Sequence, residues 1–238
     1  MASNRPIVGV AFAALVAGST FMAGSAQAAT IAQWDLLGEP GNQVSTEGAA
    51  PLNVVALDLT RGGGVTASAA ANSFSASGWQ TSPAANPAGD EDFFSLGFTV
   101  ADGFEVDLEA LYIGHRSSNT GPGTMGLFYS GNGFASPLAS FTLSGGVFRN
   151  DIVDLSGLDP LTGLVEFRLI EIGNDDAVPP GSTATGGTYR VTAYFEGGAF
   201  NRNLQFTGEV TRSATVDAPA GAALSLLALL GVMARRRA

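Results

Sequence analysis

At 238 residues the chain is long enough for one β domain with a well-buried core and too short for a roomy second one. It has no cysteine and a single histidine, His115, which excludes a disulfide framework, a thiolate metal site and any zinc site built from several imidazoles. The formal charge is −10, with 21 acidic residues against 11 basic ones, and every basic residue is arginine.

The amino terminus reads as a secretory signal. Arg5 supplies a positive start, IVGVAFAALVAGSTFMAG an apolar stretch, and Ala26-Gln27-Ala28 the small-x-small pattern before a cut, which places cleavage after Ala28. The alternative is an uncleaved anchor or a buried helix, against which stand the Gly and Ser residues that interrupt the run. Without residues 1–28 and the tail from Ala218 onward, seven arginines face all 21 carboxylates, a net charge of −14. A surface this acidic repels nucleic acid and anionic lipid. It suits an extracellular or periplasmic bacterial setting, and it suits divalent cations.

Between Ala29 and Asp217 no long amphipathic helix can be drawn. Short runs rich in β-branched and aromatic residues recur between Gly, Pro, Asn and Ser clusters, the pattern of an all-β sandwich or barrel. In chain order the predicted strands are IAQWDLL, LNVVALDL, FFSLGFTV, FEVDLEALYIGHR, TMGLFYS, PLASFTL, VFRNDIVDL, LVEFRLIEI, TYRVTAYFE and NLQFTGEV. In the fourth, Phe104, Val106 and Leu108 alternate with Glu105, Asp107 and Glu109, so one face is buried and the other wet. In LVEFRLIEI apolar residues take both faces near the end, which predicts a strand entering a buried centre. The stretch from Gly62 to Trp79 is small and polar and reads as irregular or weakly paired chain. PAANPAGDED and GNDDAVPPGSTATGG read as loops. No internal repeat or linker divides the chain, so the predicted organisation is a signal peptide over 1–28, a β-sandwich over 29–215 and a terminal segment over 216–238.

That terminal segment holds 13 residues, Ala222 to Ala234, with nothing more polar than Ser225, and then Arg235, Arg236 and Arg237. As a helix, counted from there or from Ala218, it would reach about 20 to 25 Å, short of the ~30 Å hydrocarbon core unless the bilayer thins or flanking residues snorkel. The arginines would stay cytoplasmic. A plain tail anchor or a last core helix is the alternative, and a core helix does not normally end on three arginines without a cap.

The order of a Pro-containing motif, a short apolar helix and an arginine cluster resembles the PEP-CTERM class of sorting signals, and Val216-Asp217-Ala218-Pro219-Ala220-Gly221 is similar to its VPLPA variant. Pro219, Ala220 and Gly221 match that variant, whereas Asp217 and Ala218 stand where Pro and Leu are usual. The resemblance implies an exosortase-type membrane protease as partner. It would remove the tail after a transient stay in the inner membrane and pass the protein to the surface or exopolysaccharide matrix of a Gram-negative bacterium. The middle, from Asp90 to Val210, also resembles secreted proteins of that kind, through DEDFFSLGFTV, the alternating strand after it, the turn Arg116-Ser117-Ser118-Asn119-Thr120-Gly121-Pro122 and the pair VEFRLIEIGN and GGTYRVTAYFEG. This implies a jelly-roll-like antiparallel sandwich, shaped like carbohydrate-binding modules, flanked by a signal helix and a short carboxyl-terminal apolar helix.

The candidate chemistry is thin. Asp90 and Asp92 around Glu91, and Asp175 and Asp176 after Asn174, could supply oxygens to calcium from loops at one end of a sandwich. Neither group has the spaced Asp-x-Asp-x-Asp pattern of a self-sufficient calcium loop, and solvated loop acids are the plainer reading. Glu105, Glu109, Glu166 and Glu171 are the carboxylates on strands that a glycoside hydrolase would need. Their alternation sends most of them to solvent. His115 has no nucleophile elbow or Asp partner recognisable in the sequence. Among Trp34, Trp79, Tyr112, Tyr129, Tyr189 and Tyr194, Trp79 with Gln80 at the edge of a polar region is the best candidate for stacking on a sugar ring. The sequence therefore predicts no enzyme. It predicts an exported surface or matrix protein that binds, or is embedded in, exopolysaccharide, with a purely structural or adhesive protein and a sugar-acting hydrolase as rivals.

Overall fold

Residues 28–79, 91–196 and 199–213 are described in the computed structural model of the chain. The elements in chain order are β1 (Ala29–Trp34), β2 (Pro40–Gly41), β3 (Gly48–Ala49), β4 (Val54–Ala56), β5 (Thr60–Arg61), β6 (Thr66–Ala67), β7 (Ser73–Ser77), β8 (Phe93–Val100) and β9 (Phe104–Ser117). Then follow β10 (Thr124–Tyr129), a 3-10 turn at Ser130–Asn132, β11 (Pro137–Thr142), β12 (Phe148–Asp154), β13 (Leu164–Glu171), β14 (Thr188–Thr192), β15 (Tyr194–Glu196), β16 (Ala199–Arg202) and β17 (Leu204–Arg212). The protein is an all-β, jelly-roll-like sandwich of two curled sheets. The predicted terminal helices, with Ala26, Val216, Pro219, Ala220, Gly221, Arg235, Arg236 and Arg237, lie outside the described residues. Among the described residues no helix is long and apolar enough to cross a membrane.

The larger sheet runs β2-β7-β14-β9-β17-β1-β3, with β12 on the remaining edge of β9 and β6 on β7. The smaller runs β11-β10-β13-β8-β4, with β5 also on β8. All pairs are antiparallel except the two-residue contact of β2 with β7. Alternation turns one face of every long strand inward: Phe94, Leu96 and Phe98 from β8 and Val165, Phe167 and Leu169 from β13 meet Trp34, Leu204 and Phe206 from the larger sheet, all at most 2% exposed. Phe206 is a hub, 4.7 Å from Phe167, 5.9 Å from Phe98 and 6.0 Å from Trp34 between ring centroids. The predicted buried end of LVEFRLIEI is observed, with Leu169 and Ile170 at 0% and Glu171 at 2% exposure.

Two departures from the sequence reading shape the outer surface. The stretch expected to be irregular holds β7, whose Ser-Phe-Ser-Ala-Ser pattern puts Phe74 and Ala76 in the core while its backbone pairs with β14. Small residues hide a strand because their alternation carries so little hydrophobic contrast. The other departure lies in β9. Its alternation holds from Phe104 to Leu108, but Leu108 pairs with Gly208 while Ala110 pairs with Thr207, so Glu109 is an extra residue in the ladder. Beyond this β-bulge the inward set becomes Leu111, Ile113 and His115. Gly208 permits the bulge, because a Cβ there would stand 2.1 Å from the Asp107 carbonyl oxygen.

Candidate functional site

With Leu111, Ile113 and His115 pointing in, the residues between them point out, and register assembles three rows across the larger sheet. Arg116 lies between Phe148 of β12 and Arg190 of β14, and Arg190 opposes Ser75 of β7. Two residues back, Gly114 lies between Asn150 and Thr192. Two further back, Tyr112 lies between Ile152 and Gln205, and Gln205 opposes Gln33 of β1. Gly114 is where the chain leaving β14 crosses the sheet: a Cβ would meet the Ala193 carbonyl oxygen at 2.3 Å. That crossing lifts the β15–β16 hairpin over the face.

The hairpin is pinned in place. Asn150 accepts from the Phe195 backbone N–H at 2.9 Å and donates its amide to the Phe195 carbonyl. The Tyr194 ring meets Tyr112 edge-on at 5.7 Å, and the Arg202 guanidinium sits 4.3 Å over the Tyr112 ring. At the other end Phe148, 45% exposed, has Arg116 at 5.1 Å and Arg190 at 5.0 Å from its ring centre. The result is an aromatic ridge with a polar cavity on either flank. One, of about 330 Å3, is lined by Gln33, Asp35, Asn201, Arg202, Asn203 and Gln205. The other, of about 230 Å3, is lined by Arg116, Arg190, Ser75, Ser118 and Thr188 among others.

Charge is segregated along the same strand. Ion pairs among the described residues join Arg149 to Asp151, Arg168 to Glu166 and His115 to Asp151. Arg61 spends its N–H groups on the carbonyls of Gly41, Gln43 and Ser75 beneath the sheet, and burial lowers its pKa to about 10. Arg116, Arg190 and Arg202 have no carboxylate partner among the described residues. Burial, and then the neighbouring charge of Arg116, push Arg190 below its ordinary value. On the other side of the bulge, Asp107, Glu109 and Glu209 rim a groove of about 640 Å3 floored by Leu108 and Val210 and reached by Ala28, the residue of the expected cleavage site that is described.

Under the arginine end lies a polar network that sequence reading missed. His115 is fully buried, its Nε2 2.8 Å from Asp151 and its Nδ1 3.1 Å from the Tyr189 hydroxyl. Burial lowers its pKa against the opposing pull of Asp151. The neutral ring therefore donates from Nε2 to Asp151 and accepts from Tyr189 at Nδ1. Burial raises the Asp151 carboxyl, but the His115 and Arg149 hydrogen bonds outweigh it and hold the group well below the usual carboxylate range. Tyr189 is 0% exposed, so its hydroxyl reaches no substrate; burial and then Asp151 raise its pKa. Asp151 is 36 residues from His115 and joins it through the β9–β12 register alone.

The predicted site residues fare differently. Trp79 is a core residue, 0% exposed, its indole N–H on the Ala76 carbonyl at 2.9 Å and its ring packed at 5.0 Å from Phe94 and 5.5 Å from Tyr189. It cannot stack on a ligand. Gln80 and Asp90 lie outside the described residues. Asp92 is 3% exposed beside the Gly64 backbone, whereas Asp175 is exposed and Asp176 accepts from the Val178 N–H. Among the described residues no group of three or more His, Asp or Glu could hold a metal. Of the strand carboxylates, Glu166 takes hydrogen bonds from Arg168 and Ser95, and Glu171, in the same alternation set as Val165, Phe167 and Leu169, is buried and accepts from Thr183. Trp34 and Tyr189 are buried, which leaves Tyr112, Tyr129 and Tyr194 half-buried.

No protein-family model matches the chain, and no curated protein matches it in sequence. Solved structures that are similar include a family 29 carbohydrate-binding module mutant complexed with mannohexaose, at 12% identity and a TM-score of 0.38 over 81% of this chain and 99% of that one. Another mutant of that module, complexed with cellulohexaose, gives 12% identity and 0.38 over 77% and 92%. The family 29 module itself gives 11% and 0.38 over 76% and 89%. At this distance nothing about a ligand passes from those proteins to this chain, whose site rests on its own residues.

Proposed function

We propose that this is an exported, non-enzymatic protein of the cell surface or extracellular matrix that binds a glycan chain across the outer face of its larger sheet. The observation that carries the reading is the row Gln33, Gln205, Tyr112 and Ile152 with its flanking cavities, where a half-exposed aromatic ring stands beside amides and an arginine with no carboxylate partner among the described residues. Sugars offer apolar ring faces to aromatics and hydroxyls to such groups, and a sheet face holds both rigidly. The carboxylates on the strands are engaged or scattered along the acidic end, and the His115 network is sealed inside the core. Export would follow from the amino-terminal signal, and exosortase-type removal of the tail carrying Arg235 to Arg237 would release the protein from the inner membrane into exopolysaccharide.

The test is retention of the full chain on insoluble polysaccharides, with calcium and then with a chelator. Wild type should be retained, and Tyr112→Ala should weaken binding about tenfold, the equivalent of about 1.4 kcal/mol. Retention of the Tyr112→Ala protein at wild-type strength would remove this face from consideration. Loss of binding with chelator would instead assign the ligand to calcium held near Asp92, Asp175 or Asp176. Mass spectrometry of protein recovered from cells checks the route: the mature chain should begin at Ala29 and lack Arg235 to Arg237.

A further inference from the structure

Arg116 and Arg190 are cross-strand neighbours on β9 and β14, and like charges directly opposite one another destabilise a sheet. Each stacks on Phe148, yet neither guanidinium group has a hydrogen bond or ion pair among the described residues. This occurs in a chain with three times as many acids as arginines between its terminal segments, where a carboxylate could have been placed beside them at little cost. Both instead line the cavity of about 230 Å3 together with the hydroxyl-bearing residues Ser68, Ser75, Ser118 and Thr188. Ser118 already accepts from the Thr188 N–H at 2.9 Å, so its own O–H remains to donate. The cavity is smaller than the roughly 300 Å3 at which whole-ligand pockets begin, so it takes one group of a larger molecule.

Resting on the glycan reading above, we propose that this cavity seats the anionic group of an acidic sugar, the carboxylate of a uronate or a sulfate ester, while neighbouring sugars lie along Phe148 and Tyr112. Paired guanidinium forks match the geometry of such oxyanions and form charge-assisted hydrogen bonds with them. The two guanidinium groups stand side by side with no carboxylate partner among the described residues, and an anion would supply that counter-charge. The net charge of −14 between the terminal segments disfavours polyanions over the rest of the surface, which concentrates selectivity at the paired arginines.

The experiment titrates the full chain with oligogalacturonate, with its methyl ester and with a sulfated galactan oligosaccharide. One of the two acidic probes should bind at least tenfold more tightly than the ester, and which one identifies carboxylate or sulfate. Arg116→Gln and Arg190→Gln should each abolish that preference, so that acid and ester bind the variant equally. Arg116→Lys, which keeps the charge and loses the fork, should restore only part of it. Equal binding of acid and ester, or an undiminished preference in both Gln variants, overturns the proposal while leaving glycan binding intact. If no oligosaccharide binds, the glycan reading falls separately, and the anion seat is decided by titrating sodium glucuronate and sodium sulfate while following the arginine Nε–H signals in NMR. Saturable shifts at Arg116 and Arg190 that vanish in the variants support the seat; their absence overturns it.

Discussion

The two halves of β9 carry opposite surfaces on one strand. Before Glu109 its outer face is Glu105, Asp107 and Glu109, with Glu209 of β17 opposite Asp107, and its inner face is plain hydrocarbon, Val106 and Leu108. After Glu109 the outer face is Tyr112, Gly114 and Arg116, and the inner face includes the buried His115. One inserted residue separates an acidic surface from an aromatic and basic one. Side-chain period, more than composition, decides which residues a sheet offers to solvent.

The most severe way to break the comparison is Gly208→Val, at the residue opposite the bulge. A Cβ at this position would stand 2.1 Å from the Asp107 carbonyl oxygen, so β9 and β17 must part where the two halves join. The substitution should lower the midpoint of thermal unfolding measured by circular dichroism by more than Asp151→Ala does. A melt within a few degrees of wild type would show that the close approach at Gly208 does not hold the bulge.

The next largest effect lies under the arginine half alone. Asp151→Ala leaves the buried His115 Nε2–H without its acceptor, at a cost of about 1–3 kcal/mol. Asp151→Asn still offers an oxygen and should cost less. The same network makes this half sensitive to pH. His115 is held below its ordinary value of about 6.5, so the unfolded chain takes up the proton more readily. Its contribution to stability is complete above about pH 6.5 and is lost as the pH falls from there toward the lower folded value. Asp151, held below the ordinary ~3.9, contributes above that value and loses its contribution below it. Denaturant titrations should therefore show stability falling in two stages on acidification, and His115→Gln should erase the upper stage while keeping the lower. An upper stage that survives in His115→Gln would place the titrating group elsewhere.

The ten strands drawn from the sequence are all present because their hydrophobic contrast is local, although TYRVTAYFE divides at Ala193 into β14 and β15. The strand β7 escaped because its Ser and Ala give the alternation little contrast, and the two-residue strands are too short to show a period. The candidate site escaped for another reason. Trp79 beside a polar stretch has the same sequence appearance whether its ring faces the core or a ligand, and only the packing of Phe94 and Tyr189 decides. Arg116 and Arg190, or His115 and Asp151, become neighbours through strand register, which no local pattern records. The bulge at Glu109 had one faint signal, the apolar succession Ala110-Leu111 that interrupts the alternation of the strand.

The smallest effect sharpens the acidic half. Asp107 and Glu209 are exposed and directly opposed in the β9–β17 ladder, a repulsion that nothing in the fold requires. Asp107→Arg turns the pair into an attraction, which for cross-strand partners is worth about 0.2–1 kcal/mol. It should raise the denaturation midpoint slightly at low ionic strength and lose most of that gain at high salt, where exposed charges are screened. The substitution lies on the far side of the bulge from Tyr112, so glycan retention should not change. If it did, the ligand would span both halves of β9, and the acidic end would belong to the binding face.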